Sequence, residues 1–325
     1  MDPQRKSLRM GAAIIGAAVL LRLLSGGILA PLIRMLTQPE TVAVLMYLET
    51  GRVVRPYNTM TYPAESPGPE MTQPPEATPP IFTRADGESI RLDNETGYAP
   101  DISALLTAPL KWQLDDGIPR VLILHTHGTE SYNDTNGYRS TDETQNMLSV
   151  GDRLTARLEE AGISALHDRT LHDEVSYNGS YTLARQTIEQ YLIQYPSIRL
   201  VLDLHRDAAE DDAGNQINYT VTAPAGKAAK LMLVMGTDAG GFNHPNWAEN
   251  MALAVKLQAT LEKIQPGICR PVYVRTSRFN QDLSPGALLI EVGAAGNSRQ
   301  EALLATDILA QAIIALAHGA NTEPL

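Results

Sequence analysis

From residue 121 onward, short apolar runs alternate with stripes of apolar residues at helical spacing. VLIL at 121–124 is an unbroken apolar run, the mark of a strand covered on both faces. Between Gln145 and Gly162, Leu148, Gly151, Leu154, Leu158 and Ala161 recur at helical spacing, and Gly162 closes the segment. ISAL at 163–166 reads as a second strand. Leu183 to Tyr195 is helical again and Pro196 stops it, while RLVLDL at 199–204 forms a third strand. YTVTA and LMLVMG read as two more. A helix over Trp247–Ile264 carries Trp247, Met251, Val255, Gln258 and Leu261 on one stripe; ALLIEVG at 287–293 is a last strand and Arg299 to Ala317 a last helix. Strands alternating with helices predict one α/β domain over residues 118–325, its mostly parallel sheet flanked by helices.

Upstream the pattern changes twice. Arg5, Lys6 and Arg9 precede an apolar run from Met10 to Leu21; Arg22 interrupts it and Leu23 to Leu36 continues it. The uninterrupted part is short against the ~20 residues of a spanning helix. A signal peptide and an amphipathic helix compete with a membrane anchor. Pro31, after Ala30, is a poor neighbour for a cleavage site, which favours a cytoplasmic stub and uncleaved anchor over residues 1–40. The basic flank then sends the rest of the chain outside. Residues 41–117, with PYNTMTYPAESPGPEMTQPPEATPP at their centre, read as a Pro-rich extracytoplasmic spacer without a core of its own. TVAVLMYL at 41–48 is open between strand, membrane-lying stretch and partner contact.

Composition narrows the class further. The net charge is −11, with no basic patch, which argues against a nucleic-acid partner. The single cysteine, Cys269, excludes an internal disulfide. Set between two prolines with no histidine nearby in sequence, it reads as a buried thiol rather than a nucleophile.

The candidate chemistry sits where apolar strands end. In parallel α/β sheets ligands bind at the carboxyl ends of strands. VLIL leads into His125-Thr126-His127-Gly128-Thr129-Glu130, RLVLDL into His205-Arg206-Asp207, and ALLI into Glu291. Three buried strands ending together would gather two His and two Glu around one point. Hydrolytic zinc asks for about three N/O ligands, an open position and a nearby carboxylate. His127-x-x-Glu130 can serve one metal from a turn. His125, two residues before His127, is a second ligand on an extended chain or an orienting residue behind it. Glu143 rivals Glu130 as a ligand, although Ser140-x-x-Glu143 also reads as a capping box, as does Ser298-x-x-Glu301. Asp203 could orient His205. Arg206 and Asp207 either hold a substrate carboxylate or pair with each other. Glu291, in an apolar strand, needs a metal, a metal-bound water or an arginine beside it. His167, His172, His244 and His318 are assigned to the surface or to substrate contacts.

HTHGTESY, SYNGSY (176–181), DLHRDA (203–208), FNHPNWAENMALA (242–254), YVRTSRFNQDLSPGALLIEVG (273–293) and GNSRQEAL (296–303) together resemble the stage II sporulation protein P family. The resemblance runs from about Val121 to the C-terminus. It implies a zinc amidase-like fold and a peptidoglycan hydrolase of the N-acetylmuramoyl-L-alanine amidase class, with endopeptidase activity also attributed to the family. It implies action at the forespore septum during engulfment, with sporulation proteins D and M as partners. Matched residue by residue, His127, Glu130 and His205 become zinc ligands and Glu291 the catalytic carboxylate. Amidase relatives of the wider fold take the middle carboxylate from the start of a helix, which would be Glu143 here. A stem-peptide endopeptidase or carboxypeptidase, and a non-catalytic wall-binding scaffold, are the rival readings.

Overall fold

The computed structural model describes residues 82, 84–110, 114–135 and 137–319. The anchor read over 1–40, TVAVLMYL and most of the spacer lie outside these residues. The described strands are β1 (Leu92–Asn94), β2 (Val121–Leu124), β3 (Ala165–His167), β4 (Leu200–Asp207), β5 (Thr220–Ala223), β6 (Gly226–Ala229), β7 (Leu231–Gly236), β8 (Val272–Arg275) and β9 (Ala287–Ala294). The helices are α1 (Arg84–Ser89), α2 (Ile102–Thr107), α3 (Met147–Glu160), α4 (Ser180–Gln194), α5 (Trp247–Ile264) and α6 (Arg299–Gly319).

One seven-stranded sheet runs β1-β8-β7-β9-β4-β2-β3, and β5 and β6 form a separate hairpin. Among the described residues, β7 against β9 is the antiparallel pairing within the large sheet; the other neighbours are parallel. The mostly parallel α/β architecture expected from the alternation is therefore present. The antiparallel seam divides it into two halves that run in opposite directions, so β3, β2, β4 and β9 send their carboxyl ends to one edge.

The VLIL run is apolar throughout because both faces of β2 are covered. Val121 and Ile123 join a large core with α3, α5 and α6, while Leu122 and Leu124 pack with Ala184 and Ile188 of α4. Alternate residues of a strand point to opposite faces, so neither set can be polar. α6 is long and apolar enough to cross a membrane by length and composition, but 67% of its apolar window is buried against this domain, and Ala302, Ala305, Leu309 and Ile313 belong to the core.

The folded body starts well before residue 118. Leu92 pairs with Val272, which makes β1 an edge strand of the sheet. α2 is capped by Asp101, whose Oδ1 accepts from Ala104 N at 3.0 Å, and it buries Leu106. The ammonium of Lys256 on α5 donates to the Leu106 carbonyl. The spacer reading fails for these residues because their few apolar side chains are spread among polar ones, with no period long enough to show. The Ser140–Glu143 capping box also does not form. Asn146 caps α3, accepting from Leu148 N at 2.9 Å, and Glu143 pairs with Arg169 at 2.7 Å. The second box is present: Glu301 accepts from Ser298 N at 3.0 Å, and Ser298 Oγ accepts from Glu301 N at 3.2 Å. Cys269 is buried as expected.

Gly151 falls on the apolar stripe of α3 for a reason the spacing conceals. A Cβ there would lie 2.3 Å from His167 Nε2 and 2.5 Å from His125 Nε2. These rings are hydrogen-bonded to each other at 2.9 Å and cannot swing aside freely. Gly151→Ala is therefore expected to destabilise the domain despite the roughly 1 kcal/mol that alanine gains over glycine in a helix, because overpacking costs about 1–3 kcal/mol. Urea unfolding checks this, and a variant more stable than wild type would refute it.

Candidate metal centre

The turn after β2 is fastened at both ends by buried carboxylates. Thr126 donates its N–H and its hydroxyl to Asp203, at 2.7 and 2.6 Å. Thr129 does the same to Asp173, at 3.1 and 2.8 Å, and Asp173 also accepts from Arg139 at 2.6 Å. Between them Glu130 N donates to the His127 carbonyl at 3.1 Å, closing a tight turn. The turn brings His127 and Glu130 into one cavity.

Strand register supplies the rest. His205 on β4 is paired with Glu291 on β9, and the register slips between His205 and Asp207. Such a bulge re-aims side chains at the end of a strand. His127, Glu130, His205 and Glu291 consequently line a single cavity of about 360 Å³, which Tyr177, Asn178 and Tyr181 line as well. The Tyr177 ring lies flat on the His127 imidazole, centroids 4.1 Å apart.

One nitrogen of each imidazole lies against a protein group, through a hydrogen bond at His127 and, at His205, through a close ion-pair contact that lacks hydrogen-bond alignment. His205 Nε2 lies 2.9 Å from Asp203 Oδ1, while Nδ1 is 3.6 Å from Glu130 Oε2. His127 Nδ1 is 3.3 Å from Ser180 Oγ and 3.8 Å from Asp173. The Ser180 hydroxyl already donates to the Tyr177 carbonyl at 2.7 Å, so its oxygen accepts from His127 Nδ1–H. That tautomer leaves Nε2 of His127 with a free lone pair. Binding one ring nitrogen to the protein to orient the other is how metal-ligating histidines are held.

The electrostatics follow from burial and charge proximity. Burial opposes charge on His205, but the adjoining Asp203 outweighs it and lifts the imidazole to about 10. Burial and the neighbouring His205 lower His127 to about 4. Burial pushes Glu291 up to about 8; the Glu130 and Asp207 carboxylates add to this and His205 opposes it. The Oε2 atom of Glu291 is buried without a hydrogen-bond partner.

Among the described residues, no three His, Cys, Asp or Glu side chains are gathered tightly enough to enclose an ion as they stand. The donor set still fits zinc. Tetrahedral zinc with bonds of about 2.1 Å spaces its ligand atoms roughly 3.4 Å apart, close to the 3.6 Å between His205 Nδ1 and Glu130 Oε2. Glu291, which lines the same cavity with an unpaired oxygen, would supply the nearby carboxylate that hydrolytic zinc asks for.

Other residues singled out in the sequence lie elsewhere or act differently. His125 is not at the cavity: Nδ1 bonds the Leu204 carbonyl at 3.0 Å and Nε2 bonds His167. The chain turns at Thr126, so the alternation of an extended strand does not carry His125 to the side of His127. Glu143 is exposed beside Arg169 and does not line the cavity. Arg206 and Asp207 do line it, but they do not pair with each other. Arg206 donates to the Ser131 and Tyr138 carbonyls at 2.9 and 2.6 Å, and Asp207 pairs with Arg270 at 2.6 Å. His172 and His244 are buried rather than on the surface, and His167 is held between His125 and Asp152. The His318 side chain lies outside the described residues. Asp173, Ser180, Tyr177 and Tyr181 escaped the reading by spacing, because they belong to the loop and helix start after β3, which no titratable strand end marks.

Fold and site together define an α/β protein with an open His/Glu/His centre at the carboxyl edge of its sheet. The family model for Stage II sporulation protein P matches residues 63–314, and the chain belongs to that family. Among curated proteins it is similar to Stage II sporulation protein P of Bacillus subtilis (strain 168), 29% identical over 197 residues, 56% of this chain and 47% of the relative. The chain thus matches about half the length of that relative. Among solved structures it is similar to the N-acetylmuramoyl-L-alanine amidase AmiC2 of Nostoc punctiforme, 16% identical over 62% of this chain and 94% of that one, with a TM-score of 0.37. It is also similar to the N-acetylmuramyl-L-alanine amidase Ami1 from Mycobacterium smegmatis, 12% identical over 63% and 99%, with a TM-score of 0.39.

The donor set predicts one zinc ion per chain, lost in His205→Ala. Asp203→Asn removes the anion behind His205 and is expected to weaken zinc about 10–100-fold, the usual cost of losing such a partner. Titration against a chromophoric chelator measures both. Unchanged zinc stoichiometry in His205→Ala would rule the site out.

Proposed function

We propose that this chain is a zinc-dependent peptidoglycan hydrolase that cleaves the amide between N-acetylmuramic acid and L-alanine during septal wall remodelling and engulfment in sporulation. The observation that carries the reading is the convergence of His127, Glu130 and His205 with the orphaned Glu291 on one cavity. The family membership and the name of the Bacillus subtilis relative support the sporulation setting. In the same proposal residues 1–40 tether the enzyme to the membrane, and sporulation proteins D and M are its partners.

His127 Nε2, Glu130 and His205 Nδ1 would hold the metal, which when bound polarises the scissile carbonyl and lowers the pKa of water to about 7. The remaining roles belong to the chain. Asp203 and Ser180 hold the two imidazoles in the tautomers that face the cavity. Glu291, whose free oxygen opens into the cavity, takes a proton from the attacking water and delivers it to the leaving alanine nitrogen. Its surroundings favour the protonated form, which suits the second half of that transfer. Tyr177, stacked on the His127 imidazole, and Tyr181 form part of the cavity wall.

Glu291→Gln is expected to retain zinc and lose about 10²–10⁴-fold in turnover, the usual worth of a positioned acid/base. The full chain is incubated with purified peptidoglycan and the products are read by mass spectrometry. Free stem peptides and peptide-stripped glycan, absent with the variant, are the expected result. Uncrosslinked muropeptides alone would replace the amidase reading with an endopeptidase one, and no product from a zinc-loaded enzyme would overturn both.

A further inference from the structure

Beside the metal cavity lies a second one, of about 570 Å³, within the usual range of about 300–1,000 Å³ for small-molecule sites. The two are joined through one stretch of chain: Arg206, Asp207 and Ala208 line the first, and Glu210 lines the second. Its wall is the return loop after β4, where Glu210 bridges to Gln216 and Ile217 N donates to the Ala209 carbonyl at 2.8 Å. Its floor depends on a close approach. A Cβ on Gly296 would fall 2.5 Å from the Ile217 carbonyl oxygen and 2.7 Å from that of Gln216.

Two features of this cavity are costly, and neither the Tyr138 ring nor the Gln216 oxygen is used by the fold. Tyr138 adopts φ 58°, a left-handed conformation that costs a bulky residue about 1–2 kcal/mol. Its carbonyl is held there by Ser131 N at 3.0 Å and Arg206 at 2.6 Å, yet its ring joins no core and stays 39% exposed at the cavity rim. Gln216 spends its amide nitrogen on Glu210 at 2.5 Å and leaves Oε1 buried without a partner. Asn133 and Asn215 also line it; their amide nitrogens donate to the Gly296 carbonyl at 2.6 Å and to Asp211 at 3.0 Å, so it is as acceptors that they meet a ligand.

The lining selects among ligand chemistries. It contains no Lys or Arg, and Glu210 is followed by Asp211 and Asp212, so a carboxylate-bearing peptide meets like charge. An apolar ligand would leave the Gln216 oxygen unpaired. A sugar ring offers hydroxyl and acetamido groups for Gln216, Asn215 and Glu210, and a flat carbon-bound face for the tyrosine ring. We propose that this cavity is a saccharide subsite for a neutral acetamido sugar, with Tyr138 as its stacking platform. The sugar chemistry comes from the lining itself; only its source, a glycan strand whose amide bond lies in the adjoining metal cavity, rests on the hydrolase reading.

The test is a calorimetric titration of the full chain with chitotetraose, which needs no turnover. Wild type and Tyr138→Phe are expected to bind, Tyr138→Ala to bind at least tenfold more weakly, and Gln216→Ala several-fold more weakly. Unfolding midpoints confirm that each variant is folded, and if one is not, the other decides. Absence of binding by wild type, or equal binding by the folded alanine variants, would overturn the subsite. So would displacement of chitotetraose by the acidic dipeptide L-alanyl-D-glutamate. Wall hydrolysis without tetrasaccharide binding removes the subsite alone, whereas tetrasaccharide binding without hydrolysis supports the subsite and removes the hydrolase reading.

Discussion

The carboxylate of Asp203 has exchanged nearly all of its water for three contacts: the N–H and hydroxyl of Thr126, and one ring nitrogen of His205. A buried carboxylate without such partners would cost several kcal/mol. With them, it holds its charge: burial works against ionisation, but His205 and Thr126 outweigh it and keep the group at about 2. The same contacts do two geometric jobs. Thr126 sets where the chain leaves β2 and turns toward His127 and Glu130. His205 is rotated so that its other nitrogen faces Glu130. Removing this one anion would loosen the turn and the second imidazole together, while Glu291 would keep its place by strand pairing.

The site is therefore assembled by two kinds of constraint. Glu291 and His205 are placed by backbone register on adjacent parallel strands, which the whole core enforces, since a one-residue slip would reverse every side chain between the faces. His127 and Glu130 are placed by a turn, and turns are soft unless tied down. The ties are Asp203 on one side and the Asp173–Arg139–Ser180 group on the other. The antiparallel seam between β7 and β9 matters here as well. It ends the run of parallel strands at β9, so the carboxyl ends that carry chemistry belong to β2, β4 and β9 as one contiguous group.

The parts of this arrangement legible in the sequence were those fixed by apolar periodicity. Strands β2, β4 and β9 announce themselves as hydrophobic runs, broken in β4 by Asp203 alone before His205, because both faces are covered, and their titratable ends follow directly. β1 does not, because an edge strand is short and half-solvated and Leu92 alone cannot mark a strand within a polar stretch; β8 lies inside the sheet but is only four residues long, with alternate residues half-buried. Spacing also misled at two points. His125 looked equivalent to His127 on an extended chain, but a turn between them sends it toward α3, where it needs Gly151 and His167. Ser140 and Glu143 matched a cap, yet the helix starts at Asn146, since the intervening residues are held in turns by Asp142 and Ser140 themselves. The orienting groups Asp173 and Ser180 carry no periodic signal at all; they act through contacts 44 and 53 positions away in sequence, which only the fold creates.

Arg206 shows how far a residue's use can depart from its chemistry in isolation. Next to a candidate metal and facing a cavity, an arginine invites assignment to substrate binding. Two of its guanidinium nitrogens are instead committed to the Ser131 and Tyr138 carbonyls, and a third lies 3.8 Å from Glu130. Its positive charge opposes the upward push of burial on Glu130, which favours the ionised form that a metal would need. Its donors brace the segment in which Tyr138 is held at positive φ. One buried side chain thus reaches toward both cavities, facing the Glu130 carboxylate on one side and holding the carbonyl of the strained Tyr138 on the other. The strain at Tyr138 is sustained by an arginine that is itself buried and held at the cavity of His127, Glu130 and His205.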